Sequence, residues 1–88
     1  MNILSKNTDD ISLKISELIL KLKQWAVFPD DFNIKNSLIS YGISSIEYIQ
    51  LLVDIESAFS IELDDQFLIY SDKITCEALA QIIAKYIL

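Results

Sequence analysis

The sequence predicts an all-α domain of three main helices plus one short helix. Apolar residues recur at helical spacing in three separate segments. Hydrophobic residues make up 52% of the 88, while glycine and proline each occur once. Such a composition describes a compact helical chain, neither disordered nor fibrous. At this length it forms one small domain that buries roughly 60–65% of its unfolded surface. No repeat, low-complexity tract or linker divides it, so residues 9–88 read as a single domain behind a polar, loose N-terminal segment, residues 1–8.

The first helix is expected to begin near Asp9 and Asp10, whose carboxylates suit a helix N-terminus, and to run to about Val27. At about 100° per residue, Ile11, Ile15, Leu18, Ile19, Leu22, Trp25 and Ala26 share one face, with Trp25 in the core. Pro29 ends the segment, because a residue before proline is pushed out of helical geometry. Leu13, Leu20 and Val27 fall on the other side, to meet the next loop or, less economically, a second copy. Residues 28–43 form a long connection anchored by Phe28, Phe32, Ile34, Leu38 and Ile39; a loop this long in a small domain is usually functional. The second main helix spans about 45–59, burying an arc of Tyr48, Leu51, Leu52, Ile55, Ala58 and Phe59. A loop over 60–73 holds a short helical turn around Asp65–Tyr70. The last helix runs from an N-cap at Thr75 to Ile87 and buries Leu79, Ile82, Ile83 and Tyr86.

Charge and composition exclude several functions. A net charge of −6 with no Lys/Arg cluster disfavours nucleic acid and anionic membranes, and suits basic patches on protein partners. Ile- and Leu-rich stretches are interrupted by Lys, Asp or Glu, so no run approaches the ~20 residues of a membrane span. The N-terminus lacks an apolar region and a cleavage site, and one cysteine cannot form an internal disulfide; a reducing cytoplasm fits both. Without histidine no Ser/His/Asp or Cys/His constellation can be drawn, so the chain is expected not to be an enzyme. Only scattered carboxylates remain for a metal, and Asp64-Asp65 reads better as a turn or cap than as a cation site. Cys76, near a helix start, reads as a small buried hydrophobe rather than as a thiol activated by its position.

The segment Gly42-Ile43-Ser44-Ser45-Ile46-Glu47 concentrates what remains. Ser44 as N-cap and Glu47 three residues on form a capping box. Ser45 is then the first helical residue, at a helix mouth that favours an attached oxyanion or phosphate. Gly42 supplies backbone freedom and room for a bulky approach. Both serines can also be read as caps alone. Behind them Ile46, Ile49 and Val53 form a second apolar stripe, flanked by Glu47, Gln50, Asp54 and Ser57 on one side and Glu56 on the other. A domain this small cannot surround that stripe, which reads as a docking surface.

The stretch from Asn36 to Glu47 resembles the acyl and peptidyl carrier protein signature: a Ser-Leu pair at Ser37-Leu38, a hydrophobic-Gly step at Tyr41-Gly42, then Ser44-Ser45-Ile46 where carriers have Asp-Ser-Leu or a close variant. Residues 55–65 are similar to the end of the family's second helix and its following loop, and Lys73-Ile74-Thr75 to the approach to its last helix, so the likeness covers roughly 9–88. It implies a four-helix bundle of the acyl-carrier type, a phosphoprotein with a 4′-phosphopantetheine arm from coenzyme A on Ser45, with Ser44 and Gly42 beside it. It further implies a stand-alone, monomeric biosynthetic carrier holding acyl or aminoacyl groups as thioesters. Its partners would be a phosphopantetheinyl transferase, a loading enzyme and downstream synthase or tailoring enzymes. These would dock on Ile46, Glu47, Ile49, Gln50, Val53, Asp54 and Glu56. Ser44 stands where fatty-acid carriers most often have Asp, and the second helix is less acidic than theirs; both departures point to a non-ribosomal peptide or polyketide pathway. A fatty-acid synthesis carrier and an unmodified interaction module of the same fold are the alternatives.

Overall fold

The computed structural model describes residues 8–87. Its elements run α1 (Thr8–Lys23), a 3-10 turn (Leu38–Tyr41), α2 (Ser45–Phe59), a second 3-10 turn (Asp65–Leu68) and α3 (Cys76–Ile87). No strand occurs among these residues; the backbone has only an isolated bridge, Ser37 with Thr75. The expectation of an all-α bundle with three main helices holds; the short helical turn expected around Asp65–Tyr70 is the second 3-10 turn, and the first falls inside the segment expected to be a plain connection. No helix among the described residues is long and apolar enough to cross a membrane. The loose segment expected over 1–8 lies outside the described residues apart from Thr8, which opens α1.

α1 buries Ile11, Ile15 and Ile19 along one stripe, and packs more extensively on α3 than on α2. Its acidic first turn (Asp9, Asp10) and basic last turn (Lys21, Lys23) complement the helix dipole. Two serines on the same stripe are also buried: Ser16 Oγ donates to Ser12 O at 2.9 Å, which satisfies it in place. Opposite lies Cys76, whose Sγ is 3.9 Å from Ser16 Oγ. Burial pushes that thiol up to about 11, against a small opposing effect of Ser16, so Cys76 is a packing residue and not an activated one.

α1 stops at Lys23, four residues short of the expected end. Gln24 turns left-handed (φ 56°), Gln24 N–H returns to Lys21 O and Trp25 N–H to Leu20 O, a Schellman closure. The chain is thereby released, six residues ahead of Pro29 at Lys23, into an aromatic cluster. Trp25 meets Phe32 and Tyr41 edge-on at 6.4 and 6.5 Å, and Phe28 lies on Phe32 at 4.8 Å. Trp25 is therefore a half-buried loop residue and Ala26 and Val27 are exposed, correcting their assignment to a helix face. Leu13 is exposed as well.

The long first loop is tied down before and at the start of its 3-10 turn. Leu38 N–H donates to Ile74 O, and Ile34 O accepts from Glu77 N–H in the first turn of α3. Leu38 is fully buried, whereas Ile39 faces outward, because three residues per turn swing neighbours apart. In α2 the buried set is Tyr48, Leu51, Leu52 and Ile55, with Phe59 half-buried against it. Ala58 departs from the expected arc: it lines an open groove with Leu18, Lys21, Asp54 and Ser57, which its short methyl cannot fill. Thr75 caps α3 as expected, its Oγ1 accepting from Ala78 N–H at 2.9 Å. The face of α3 is rotated from expectation: Ala80 and Ala84 take buried positions beside Leu79 and Ile83, and Ile82 and Tyr86 are half-buried.

Two helices end on non-glycine residues in left-handed geometry, Gln24 and Ser60, both with φ 56° and both exposed. An L-residue there costs roughly 1–2 kcal/mol, partly offset for glycine by its looser unfolded chain. Ser60→Gly is expected to stabilise the domain by about 0.5–1 kcal/mol, a rise in Tm of about 3–6 °C by differential scanning calorimetry.

Candidate functional site

The site is the mouth of α2 and the outward stripe behind it. Gly42 caps the first 3-10 turn in left-handed geometry (φ 75°), its N–H bonded to Ile39 O. A Cβ at Gly42 would meet nothing within 4 Å. The glycine is thus favoured by its backbone angle, and the space around it is open in any case. Two residues on, Ser44 is extended and the capping box is complete: Ser44 Oγ accepts from Glu47 N–H at 3.1 Å, and Glu47 Oε1 accepts from Ser44 N–H at 2.9 Å.

Capping by Ser44 leaves Ser45 uncommitted. Ser45 is exposed, and its hydroxyl has no partner among the described residues. The Ser45 and Ile46 N–H groups likewise have no acceptor there, so the positive end of α2 stands open beside the hydroxyl. Such a mouth favours an anion beside it.

Lys23 enters the site from the end of α1. Its Nζ donates to both Glu47 carboxylate oxygens at 3.2 Å and to Gly42 O at 3.1 Å. The Ser44 N–H bond, then Lys23, hold the Glu47 carboxyl below its ordinary value of 4.5. Glu47 is therefore engaged within the fold, although the sequence also casts it as a contact for basic partners. Asp54 Oδ1 accepts from Gln50 Nε2 at 3.0 Å, and Glu56 Oε2 from Leu63 N–H at 2.8 Å. Neither of those carboxylates has a cation partner among the described residues.

The outward stripe has the expected character. Ile46 is 79% exposed, Val53 51% and Ile49 45%, an arrangement that burial alone would not produce. Ile49 and Val53 also line a cleft of about 150 Å³ whose other walls are Leu52, Glu56, Leu63, Asp64 and Asp65. Asp64 serves the turn expected of it, its carbonyl accepting from Phe67 N–H.

A family model described as "phosphopantetheine attachment site" matches residues 24–83, more than half of the chain. The chain belongs to the phosphopantetheine attachment site family. Carrier domains of this family are defined by covalent 4′-phosphopantetheine. No curated protein and no solved structure matches the chain. α1 precedes the matched stretch, so Lys23 lies just outside it.

Two further residues shape the carrier's site, and sequence reading passed them over. Tyr48, counted only as an apolar core residue, donates from its hydroxyl to Phe67 O at 2.7 Å. Tyr70 stacks on Tyr48 at 4.4 Å and donates to Ile43 O at 2.8 Å. Burial, with smaller contributions from Tyr48 and Glu47, pushes the Tyr70 hydroxyl up to about 12, which keeps it a donor throughout the ordinary pH range. The only signal in the sequence was two tyrosines where leucines would pack as well.

A depressed carboxyl pKa makes stability depend on pH in one direction. The contribution of Glu47 is complete above 4.5 and is lost as pH falls through the lower folded value. Glu47→Gln is expected to lower Tm at pH 7 and to show a smaller further loss on acidification than the parent chain. Equal acid sensitivity of the two proteins in thermal melts would count against this role of Glu47.

Proposed function

We propose that Ser45 carries the 4′-phosphopantetheine arm and that α2 is the surface on which partner enzymes read it. The observation that supports this most is the division of labour at the α2 mouth: Ser44 and Glu47 close the cap, and Ser45 is left exposed with an unbonded hydroxyl. In the modification step a phosphopantetheinyl transferase would join Ser45 Oγ to the phosphorus nearest the pantetheine of coenzyme A. The hydroxyl proton leaves to a base of the transferase, and the nucleotide half of coenzyme A departs. Once attached, the arm supplies a thiol that holds acyl or aminoacyl cargo as a thioester. The chain itself contributes position and recognition, not catalysis.

Ile46, Ile49 and Val53 would make the apolar contacts of docking, and Asp54, Glu56 and Gln50 the polar ones, with basic groups on the partner side. Glu47, bonded to Ser44 N–H and Lys23, would hold the tether point in place more than it meets a partner. Contacts of this size suit brief visits to several enzymes. Ser44 in place of an aspartate leaves the cap intact and favours a specialised peptide or polyketide pathway over fatty-acid synthesis.

Intact-mass spectrometry after incubation with coenzyme A and a broad-specificity transferase tests the reading. The expected outcome is a gain of one arm in the parent chain, none in Ser45→Ala, and an undiminished gain in Ser44→Thr, which preserves the cap. Absence of any gain with several transferases would replace the carrier reading by that of an unmodified interaction module.

A further inference from the structure

Two consecutive carbonyls leading into the capping box are each held by a side chain from a distant element. Lys23 Nζ, on the last residue of α1, donates to Gly42 O at 3.1 Å. Tyr70, in the loop before α3, donates its hydroxyl to Ile43 O at 2.8 Å. Each donor is itself immobilised. Lys23 is bonded to both oxygens of Glu47, and the Tyr70 ring lies stacked on the fully buried Tyr48. The Ile43 carbonyl belongs to the peptide plane that ends on Ser44 N, and the Gly42 carbonyl to the plane before it. Gly42 is the one residue here whose backbone is intrinsically free to swing. With both planes pinned, that freedom is removed at the step where the chain turns into α2.

We propose that Lys23 and Tyr70 are positioning residues for the modification of Ser45, clamping the Gly42–Ile43 carbonyls so that Ser45 Oγ is presented to the transferase in one orientation. The proposal rests on the reading of Ser45 as the attachment point. Lys23 and Tyr70 lie off the Ile46–Ile49–Val53 stripe, so clamping the serine and docking the partner are separable functions. A partly exposed ion pair such as Lys23–Glu47 adds little to stability, which leaves its geometric effect as the larger one. Rate is sensitive to that geometry: misplacing a reacting group by about 1 Å costs about a hundredfold. A loop that samples several orientations lowers the turnover of bound protein and leaves its affinity alone.

Two measurements on the full chain test the clamp, using Lys23→Met, Lys23→Arg and Tyr70→Phe. In the unmodified proteins, amide hydrogen exchange at Ser44 and Glu47, the bonded amides of the capping box, is expected to quicken about fivefold or more in Lys23→Met and Tyr70→Phe, with mid-helix amides of α1 and α3 unchanged. In arm transfer from coenzyme A followed by mass, kcat is expected to fall about tenfold with KM within about twofold, and Lys23→Arg to recover most of the loss. Tyr70→Phe keeps the ring stack, so it reports even where Lys23→Met destabilises the chain. Unchanged exchange at Ser44 and Glu47 in both variants overturns the clamp, as does an unaltered kcat. A rise in KM at constant kcat also overturns it, by making Lys23 a partner contact. Failure of the parent chain to gain an arm on Ser45 sinks the underlying reading instead, and is visible before any variant is made.

Discussion

The Glu47 carboxylate accepts the Ser44 N–H that closes the capping box and the Lys23 ammonium that arrives from the end of α1, so one group sets both where α2 begins and where it sits in the bundle. A cap alone would start the helix equally well but would leave its mouth unreferenced to the rest of the fold. The N-cap contributes about 1 kcal/mol and an ion pair of this exposure less than that. Their importance is geometric. They connect the only glycine, the first loop and α1 to a single point one turn deep in α2.

Behind that point α2 divides into two unlike faces. Tyr48, Leu51, Leu52 and Ile55 are buried, each worth about 1.5–3 kcal/mol for its removal from water. Ile46, Ile49 and Val53 are left largely in solvent, where three β-branched residues bring less packing energy than buried ones and slightly lower helix propensity. Nothing in the stability of an isolated domain favours that expense. On the proposed reading, a surface covered and uncovered in turn by partners does favour it, since the apolar contact is present without being strong.

What could be read from the sequence, and what could not, follows the range of the interactions involved. The capping box, the bounds of α2, the Thr75 cap and the exposed stripe all depend on residues within a few positions of one another, and all appear as expected. The misjudged features depend on distant groups. Trp25 leaves α1 because Phe32 and Tyr41 wait for it, and no pattern within α1 records that. Gln24 and Ser60 adopt left-handed caps where glycine would have announced them. Lys23 and Tyr70 reach the site over 19 and 27 residues of chain, as unremarkable members of a basic helix end and a loop. The capping and exposure of the α2 mouth were local; its anchoring was not.

Cys76 takes on a different meaning in a domain whose arm ends in a free thiol. The chain's own sulfhydryl is sealed between α1 and α3, 1% exposed and protonated well above neutral pH. The scaffold therefore offers no activated thiol to compete with that of the arm. Chemically, the folded domain is silent toward electrophiles that seek thiolates, and a thiol-directed label added to the arm-bearing protein will report the arm alone.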